Sequence, residues 1–177
     1  MLGLEQVEIS PGLTPVTPLN FIYYPFSHSM VMVIFWSGVV GGIYWLIKRN
    51  TLGALLISGL VFSHWVLDLL VHLPDLPLFP GDSPKVGLGL WNSLLFSQVI
   101  EVTLFSLGVW LYAKTTRAKN NTGKWSLAIL ALFFLVIQVM NLVGPPPPNA
   151  GVIAYTAHLQ WLFILWAAWV DRNRIPV

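Results

Sequence analysis

Five runs of about twenty apolar residues, at residues 29–47, 52–73, 90–113, 125–142 and 152–170, fix what this chain can become. An α-helix needs about 20 residues to cross a bilayer, and in lipid the backbone must satisfy its own hydrogen bonds. The runs therefore predict an all-α, polytopic membrane protein: one bundle of about five transmembrane helices occupying residues 1–177 as a single membrane domain. Composition agrees, since 9% of residues are charged, against about 25% in a soluble domain. Residues 1–28 differ in kind. Pro11, Pro15, Pro18 and Pro25 punctuate them and no Lys or Arg occurs, which predicts an extended lead instead of a helix. Residues 1–20 lack the basic start and apolar run of a signal peptide.

The basic residues set a topology. Lys48 and Arg49 follow the first run, Lys114, Arg117, Lys119 and Lys124 lie between the third and fourth, and Arg172 and Arg174 follow the fifth. With five spans these three regions share one side, which the positive-inside rule makes cytoplasmic. Lys85 is then the one cation outside, the N-terminus is extracytoplasmic and the C-terminus cytoplasmic. The net charge of +2 and pI near 9.0 come from these scattered flanking residues, which suit a bilayer and not nucleic acid. Trp45, Trp110, Tyr112, Trp125, Trp166 and Trp169 fall near inner ends, and Tyr23, Tyr24, Trp91 and Tyr155 near outer ends, as interfacial belts require. Trp36, Trp65 and Trp161 fall outside the belts and are expected to face lipid or to pack. Gly38 and Gly42 are spaced for close helix contact, or are simply glycines of the kind membrane helices often carry. Asn120-Asn121-Thr122 matches a glycosylation sequon but lies on the predicted cytoplasmic side. The chain has no cysteine, which excludes disulfides and thiolate metal sites.

One stretch breaks the apolar pattern: Ser63-His64-Trp65-Val66-Leu67-Asp68-Leu69-Leu70-Val71-His72. His64, Asp68 and His72 recur every four residues, so on a helix they lie on one slowly drifting face, each about 6 Å above the last. Ionisable groups at such depth are costly and normally face a partner or a cavity. The predicted topology places His72 at the outer surface with His28 level with it, Asp68 one turn below and His64 two turns below. Gln98 and Glu101 fall in the outer half of the third helix or near its centre, and His158 in the outer half of the fifth, so all four histidines collect on one side. Imidazole and carboxylate are the common ligands of zinc and manganese, and a bound dication removes the cost of the buried carboxylate. His64 and His72 are about 12 Å apart along the axis. Asp68 is thus the natural centre, paired with either histidine or bridging two ions, with His28 supplied by the neighbouring helix. Asp68 and Glu101 are the candidate catalytic carboxylates. Glu101 is equally readable as a hydrogen-bond partner between helices, Asp75 as a partner behind His72, and His158 as a packed or hydrogen-bonding residue.

At these residues the chain resembles the bacterial membrane-bound metal-dependent hydrolases, whose best-known members are LexA-regulated inner-membrane proteins. The resemblance rests on Tyr24-Pro25-Phe26-Ser27-His28-Ser29 and on the His64-to-His72 stretch. Pro74-Asp75-Leu76-Pro77-Leu78 and Val86-Gly87-Leu88-Gly89-Leu90-Trp91-Asn92 are similar to one branch. It covers residues 5–112 well and the last two helices loosely. It implies metal ligation by His28, His64, Asp68 and His72. Members commonly begin with a further apolar segment carrying another His and Asp, and this chain is expected to start just past the end of such a segment.

The function expected is an integral-membrane metal-dependent hydrolase. One or two divalent ions, zinc or manganese, would sit in the outer half of the bilayer near a lipid or lipid-linked (phospho)ester. The alternatives are a transporter or permease, whose polar groups line a path, and a non-catalytic membrane subunit with a structural metal.

Overall fold

The computed structural model describes residues 4–177. Five helical runs are long and apolar enough to cross a membrane: Met30–Lys48, Thr51–Val71, Leu94–Thr115, Asn121–Val143 and Ala150–Arg172. Side chains such as Ile34, Leu55, Leu60, Leu132 and Trp161 stand exposed along them, a surface that only lipid solvates well. The protein is an all-α, multi-pass membrane protein. Cα packing divides it into two compact units, Met1–Ser97 and Gln98–Val177.

The first unit begins with two antiparallel strands, β1 (Gln6–Ile9) and β2 (Leu19–Tyr23). The lead is extended, as the prolines predict, and it is folded back on itself as a hairpin. The reason is where the prolines stand: Pro11, Pro15 and Pro18 lie in the connecting loop, outside the strands, and Pro25 occupies the first turn of a short helix, α1 (Pro25–His28). Val, Ile, Phe and Tyr fill the strands themselves, residues that favour a pleated surface.

Helices α2 (Met30–Lys48) and α3 (Thr51–Val71) then form an antiparallel hairpin. Fully buried Ser29 caps α2 by accepting from the Met32 amide, and Asn50 caps α3 by accepting from the Gly53 amide at 3.0 Å. Between them Arg49 turns the chain in the left-handed region (φ 51°), its amide bonded to the Trp45 carbonyl and its guanidinium over the Trp45 ring. The close approach is made at Gly41, where a Cβ would collide with the Ser58 hydroxyl and meet the Ala54 carbonyl. Beside it Ser58 donates to the Ser37 carbonyl at 2.9 Å. The small-residue face is thus Ser37 and Gly41, while Gly38 and Gly42 look onto open space. A one-residue offset turns the face by about 100° on a helix.

α3 stops at Val71, two residues short of the predicted end: His72 leaves the helical region with ψ 148°, and Pro74, two residues on, has no amide proton with which to continue the helix. The loop at residues 87–89 finishes it. Leu88 and Gly89 donate their amides to the Leu69 and His72 carbonyls at 2.8 and 2.7 Å, and a Cβ on Gly87 would collide with the Leu73 carbonyl oxygen. Two short strands, β3 (Leu76–Pro77) and β4 (Lys85–Val86), brace the intervening loop. Tyr24, Val33, Trp65 and Leu76 form the buried core at this end of the hairpin, so Trp65 packs inside while Trp36 and Trp161 are exposed.

Leu90–Asn92 is a 3-10 turn, and the third span, α4 (Leu94–Thr115), begins four residues later than predicted. It runs on into the second unit, followed by β5 (Thr116–Ala118), α5 (Asn121–Val143), α6 (Ala150–His158), α7 (Gln160–Arg172) and β6 (Arg174–Pro176). Asn120, the first residue of the apparent sequon, caps α5 by accepting from the Gly123 amide at 2.8 Å. β5 pairs with β6, and Arg174 fastens the join by donating to Thr116 and to the Gly123 carbonyl. Phe133, Phe134, Phe163 and Trp166 interlock α5 with α7.

Gly41→Val is expected to destabilise the α2–α3 hairpin by about 1–3 kcal/mol through overpacking. Gly42→Val is expected to leave it unchanged, as thermal unfolding in detergent would show.

Candidate metal centre

The end of the hairpin opposite Arg49 carries the polar residues. Pro25 starts α1 and Ser29 ends it, so the single turn delivers His28 to the edge of α3, where His64 and Asp68 lie four residues apart on one face. His64 Nε2 is 2.9 Å from Asp68 Oδ2, and His28 Nε2 is 3.7 Å from the same oxygen. One donor atom from each of the three lies within 4.8 Å of the others. The His28 and His64 rings meet edge to face at 4.9 Å.

These three residues fit a metal ion. Asp68 Oδ2 is buried, yet among the described residues no donor is aligned to hydrogen-bond it; the two imidazoles approach without the geometry of a bond. An anionic oxygen beside two ring nitrogens, the nearer at ion-pair distance, is an arrangement that a cation stabilises. Ligand atoms around a tetrahedral zinc stand about 3.4 Å apart, from bonds of about 2.0–2.2 Å. The two separations from Asp68 Oδ2, 2.9 and 3.7 Å, bracket that value, so one would open and the other close around an ion. Burial lowers the pKa of His28, against the opposing pull of the Asp68 charge, which holds the ring in the neutral form that a metal ligand needs.

His72 stands apart from this group. Its ring is 6.3 Å from that of His28, which sits beside His64 and Asp68 instead of level with His72 as the sequence predicts. The helical turn at Pro25–His28 accounts for the difference, because it draws His28 in against the side of α3. His72 is buried among Phe21, Tyr24 and Trp91. Its Nδ1 faces Asp75 Oδ1 at 3.0 Å, and the Tyr24 hydroxyl donates to the same oxygen at 2.9 Å. With the Tyr24 proton directed to the carboxylate, His72 Nδ1 is the second donor to Asp75 Oδ1. Asp75 is thus the partner behind His72 that the sequence suggests. The Tyr24 pKa is raised, by burial first and then by the Asp75 charge.

A second set of contacts stands behind His28. Ser27 Oγ lies 2.5 Å from His28 Nδ1 and within 2.7–2.8 Å of both Glu5 carboxylate oxygens, and the Ser27 amide donates to Glu5 Oε1 at 2.8 Å. Ser27 and Tyr24 lie inside the Tyr24-to-Ser29 motif, so the sequence held a signal for them. Glu5, from the hairpin strand region 22 residues away, carried none.

Glu101 and His158 belong to the second unit. Glu101 Oε2 accepts from Gln138 Nε2 at 2.7 Å, and the same amide group donates to Gln98 Oε1 at 2.9 Å. This is the interhelical role that the sequence offers for Glu101 beside a catalytic one. His158 ends α6 with its side chain exposed.

Comparison of the chain with protein-family models, with curated proteins and with solved structures finds no match.

Tyr24→Phe removes a donor from the Asp75 carboxylate. It is expected to cost about 1.5–3 kcal/mol, the worth of a hydrogen bond to a charged group, read as a lowered midpoint of thermal unfolding in detergent.

Proposed function

We propose that this protein is an integral-membrane metal-dependent hydrolase, of the kind its histidine motifs resemble, with His28, His64 and Asp68 holding a divalent ion. The observation that carries the reading is the buried Asp68 Oδ2, converged on by two imidazoles and lacking an aligned donor among the described residues. Zinc suits the nitrogen-rich set, and manganese is the alternative. A bound ion would supply Lewis acidity and an acidified water, the chemistry of ester and phosphoester hydrolysis. The chain's own residues do the rest. Asp68 would supply the charge that retains the ion, His28 and His64 would complete the set as neutral imidazoles once it is bound, and His72, with Nδ1 facing Asp75, could offer Nε2 as a further ligand or as an acceptor for a substrate proton. His64, with 48% of its side chain exposed, leaves the open side for substrate.

The placement of the basic residues supports an orientation with the Lys48, Lys114-to-Lys124 and Arg172 regions in the cytoplasm. The site then belongs to the extracytoplasmic face. His28 precedes the first residue of one span and Asp68 lies one turn before the end of the next, a depth at which headgroups meet acyl chains. A lipid or lipid-linked ester is the substrate class that reaches it.

A permease reading has separate support in the Gln98, Glu101 and Gln138 cluster. These residues lie within membrane-spanning helices, and Glu101 and Gln138 line a cavity of about 360 Å³ that is otherwise apolar.

Elemental analysis of the detergent-purified protein separates the two. Stoichiometric zinc or manganese, lost in Asp68→Ala, is expected. A native protein that carries no divalent metal after growth with added zinc and manganese, and that moves solutes into liposomes, would replace the hydrolase by the permease.

A further inference from the structure

We propose that Glu5 and Ser27 form a hydrogen-bond relay that fixes His28 as the Nδ1–H tautomer, turning its Nε2 lone pair toward Asp68, and that the N-terminal hairpin thereby sets the metal affinity of the site. The second half of this inference rests on the metal reading above. The first half does not.

Ser27 Oγ has one hydrogen and three close neighbours: Glu5 Oε1 at 2.8 Å, Glu5 Oε2 at 2.7 Å and His28 Nδ1. A carboxylate offers only lone pairs, so the serine proton goes to Glu5. A charge-assisted bond of that kind is about twice as strong as a neutral one. Ser27 Oγ then meets His28 Nδ1 with lone pairs alone, and the contact is favourable only when Nδ1 carries the ring proton. In a neutral imidazole Nε2 must then be bare. At the other end of the ring, Nε2 is 3.7 Å from Asp68 Oδ2, too far for a hydrogen bond that would hold a proton there.

The relay is also held in place. The Ser27 amide donates to Glu5 Oε1 at 2.8 Å, so the carboxylate grips backbone and side chain of one residue. Glu5 directly precedes β1, whose pairing with β2 ties the lead back to Tyr23, two residues before α1. Tyr24, fully buried beneath the hairpin, packs its ring against those of both Phe21 and His28. Docking of the lead and orientation of His28 are therefore one event. Partners standing behind a ligating histidine typically account for about 10–100-fold in metal affinity. Glu5 and Ser27 are positioning residues in this sense, since neither has an atom in the ligand group.

The experiment uses the full-length protein in detergent, stripped of metal with a chelator and labelled with ¹⁵N at histidine. The His28 signals are assigned by their loss in His28→Asn. The native protein is expected to show His28 protonated at Nδ1 and bare at Nε2. Glu5→Leu frees the serine proton to point at Nδ1 and is expected to shift His28 toward the Nε2–H form. Ser27→Ala is expected to give a mixture, and Ser27→Thr, which keeps the hydroxyl, to restore the native tautomer. Zinc affinity, measured by competition with a chromophoric chelator, is expected to fall 10–100-fold in Glu5→Leu and Ser27→Ala and to recover in Ser27→Thr. A native His28 protonated at Nε2, or a tautomer unchanged by both Glu5→Leu and Ser27→Ala, overturns the relay. A native protein with the expected tautomer and no affinity for zinc leaves the relay standing and overturns its role in metal binding, together with the hydrolase reading.

Discussion

A carboxylate placed in a membrane-spanning helix governs what must be built around it. Asp68 sits near the end of α3 with its side chain 15% exposed, and removing an isolated charge from water at such a place costs several kcal/mol. The protein does not spend a lysine or arginine on it. Among the described residues, those converging on Asp68 Oδ2 are the imidazoles of His28 and His64, and the hydrogen bonds behind His28 direct an unprotonated nitrogen toward it. Two imidazoles and a carboxylate turned toward one point form a donor set that a dication would suit.

The remaining architecture of the first unit brings three segments to that point. The α2–α3 hairpin supplies the helix that carries His64 and Asp68, and its close approach at Ser37, Gly41 and Ser58 leaves little room for sliding between the two helices. The turn at Pro25–His28 supplies His28. The 87–89 loop satisfies carbonyls at the end of α3, which lets the helix stop at Val71 and frees His72 to be boxed by Phe21, Tyr24 and Trp91. Each device is small, and each acts on the same end of the hairpin.

The spans were legible because bilayer thickness and hydrophobic length are directly coupled, and the observed helices lie within a few residues of the predicted ones. Helix ends were less legible where a cap or a proline decides them, as Asn120 does for α5 and Pro74 for α3. The lead is extended, as its prolines imply, and what they do not reveal is that its strands pair, because none of the four prolines lies inside a strand. In the site, the spacing of His64 and Asp68 exposed their shared face, and Asp75 was visible from its three-residue distance to His72. The proximity of His28 to His64 could not be read, since it depends on a tertiary contact of one helical turn. Glu5 was invisible for the same reason, being an acidic residue in a polar stretch with no periodicity to mark it.

His28 and His72 have the same design by different routes. Each turns Nδ1 to an oxygen, His72 to Asp75 and His28 to Ser27 with Glu5 behind it. The Asp75 contact spans three residues and forms as soon as the chain turns at Pro74, so it belongs to the end of α3 itself. The Glu5 contact closes a loop of 22 residues. Loop closure of that length carries an entropic cost that the β1–β2 pairing and the burial of Tyr24 must offset before His28 is oriented. One histidine is therefore set by local structure and the other by the docking of the lead. A change anywhere in the lead that weakens docking acts on His28 and leaves His72 in place, which makes the N-terminal hairpin the segment through which ligand geometry at this site is most readily altered.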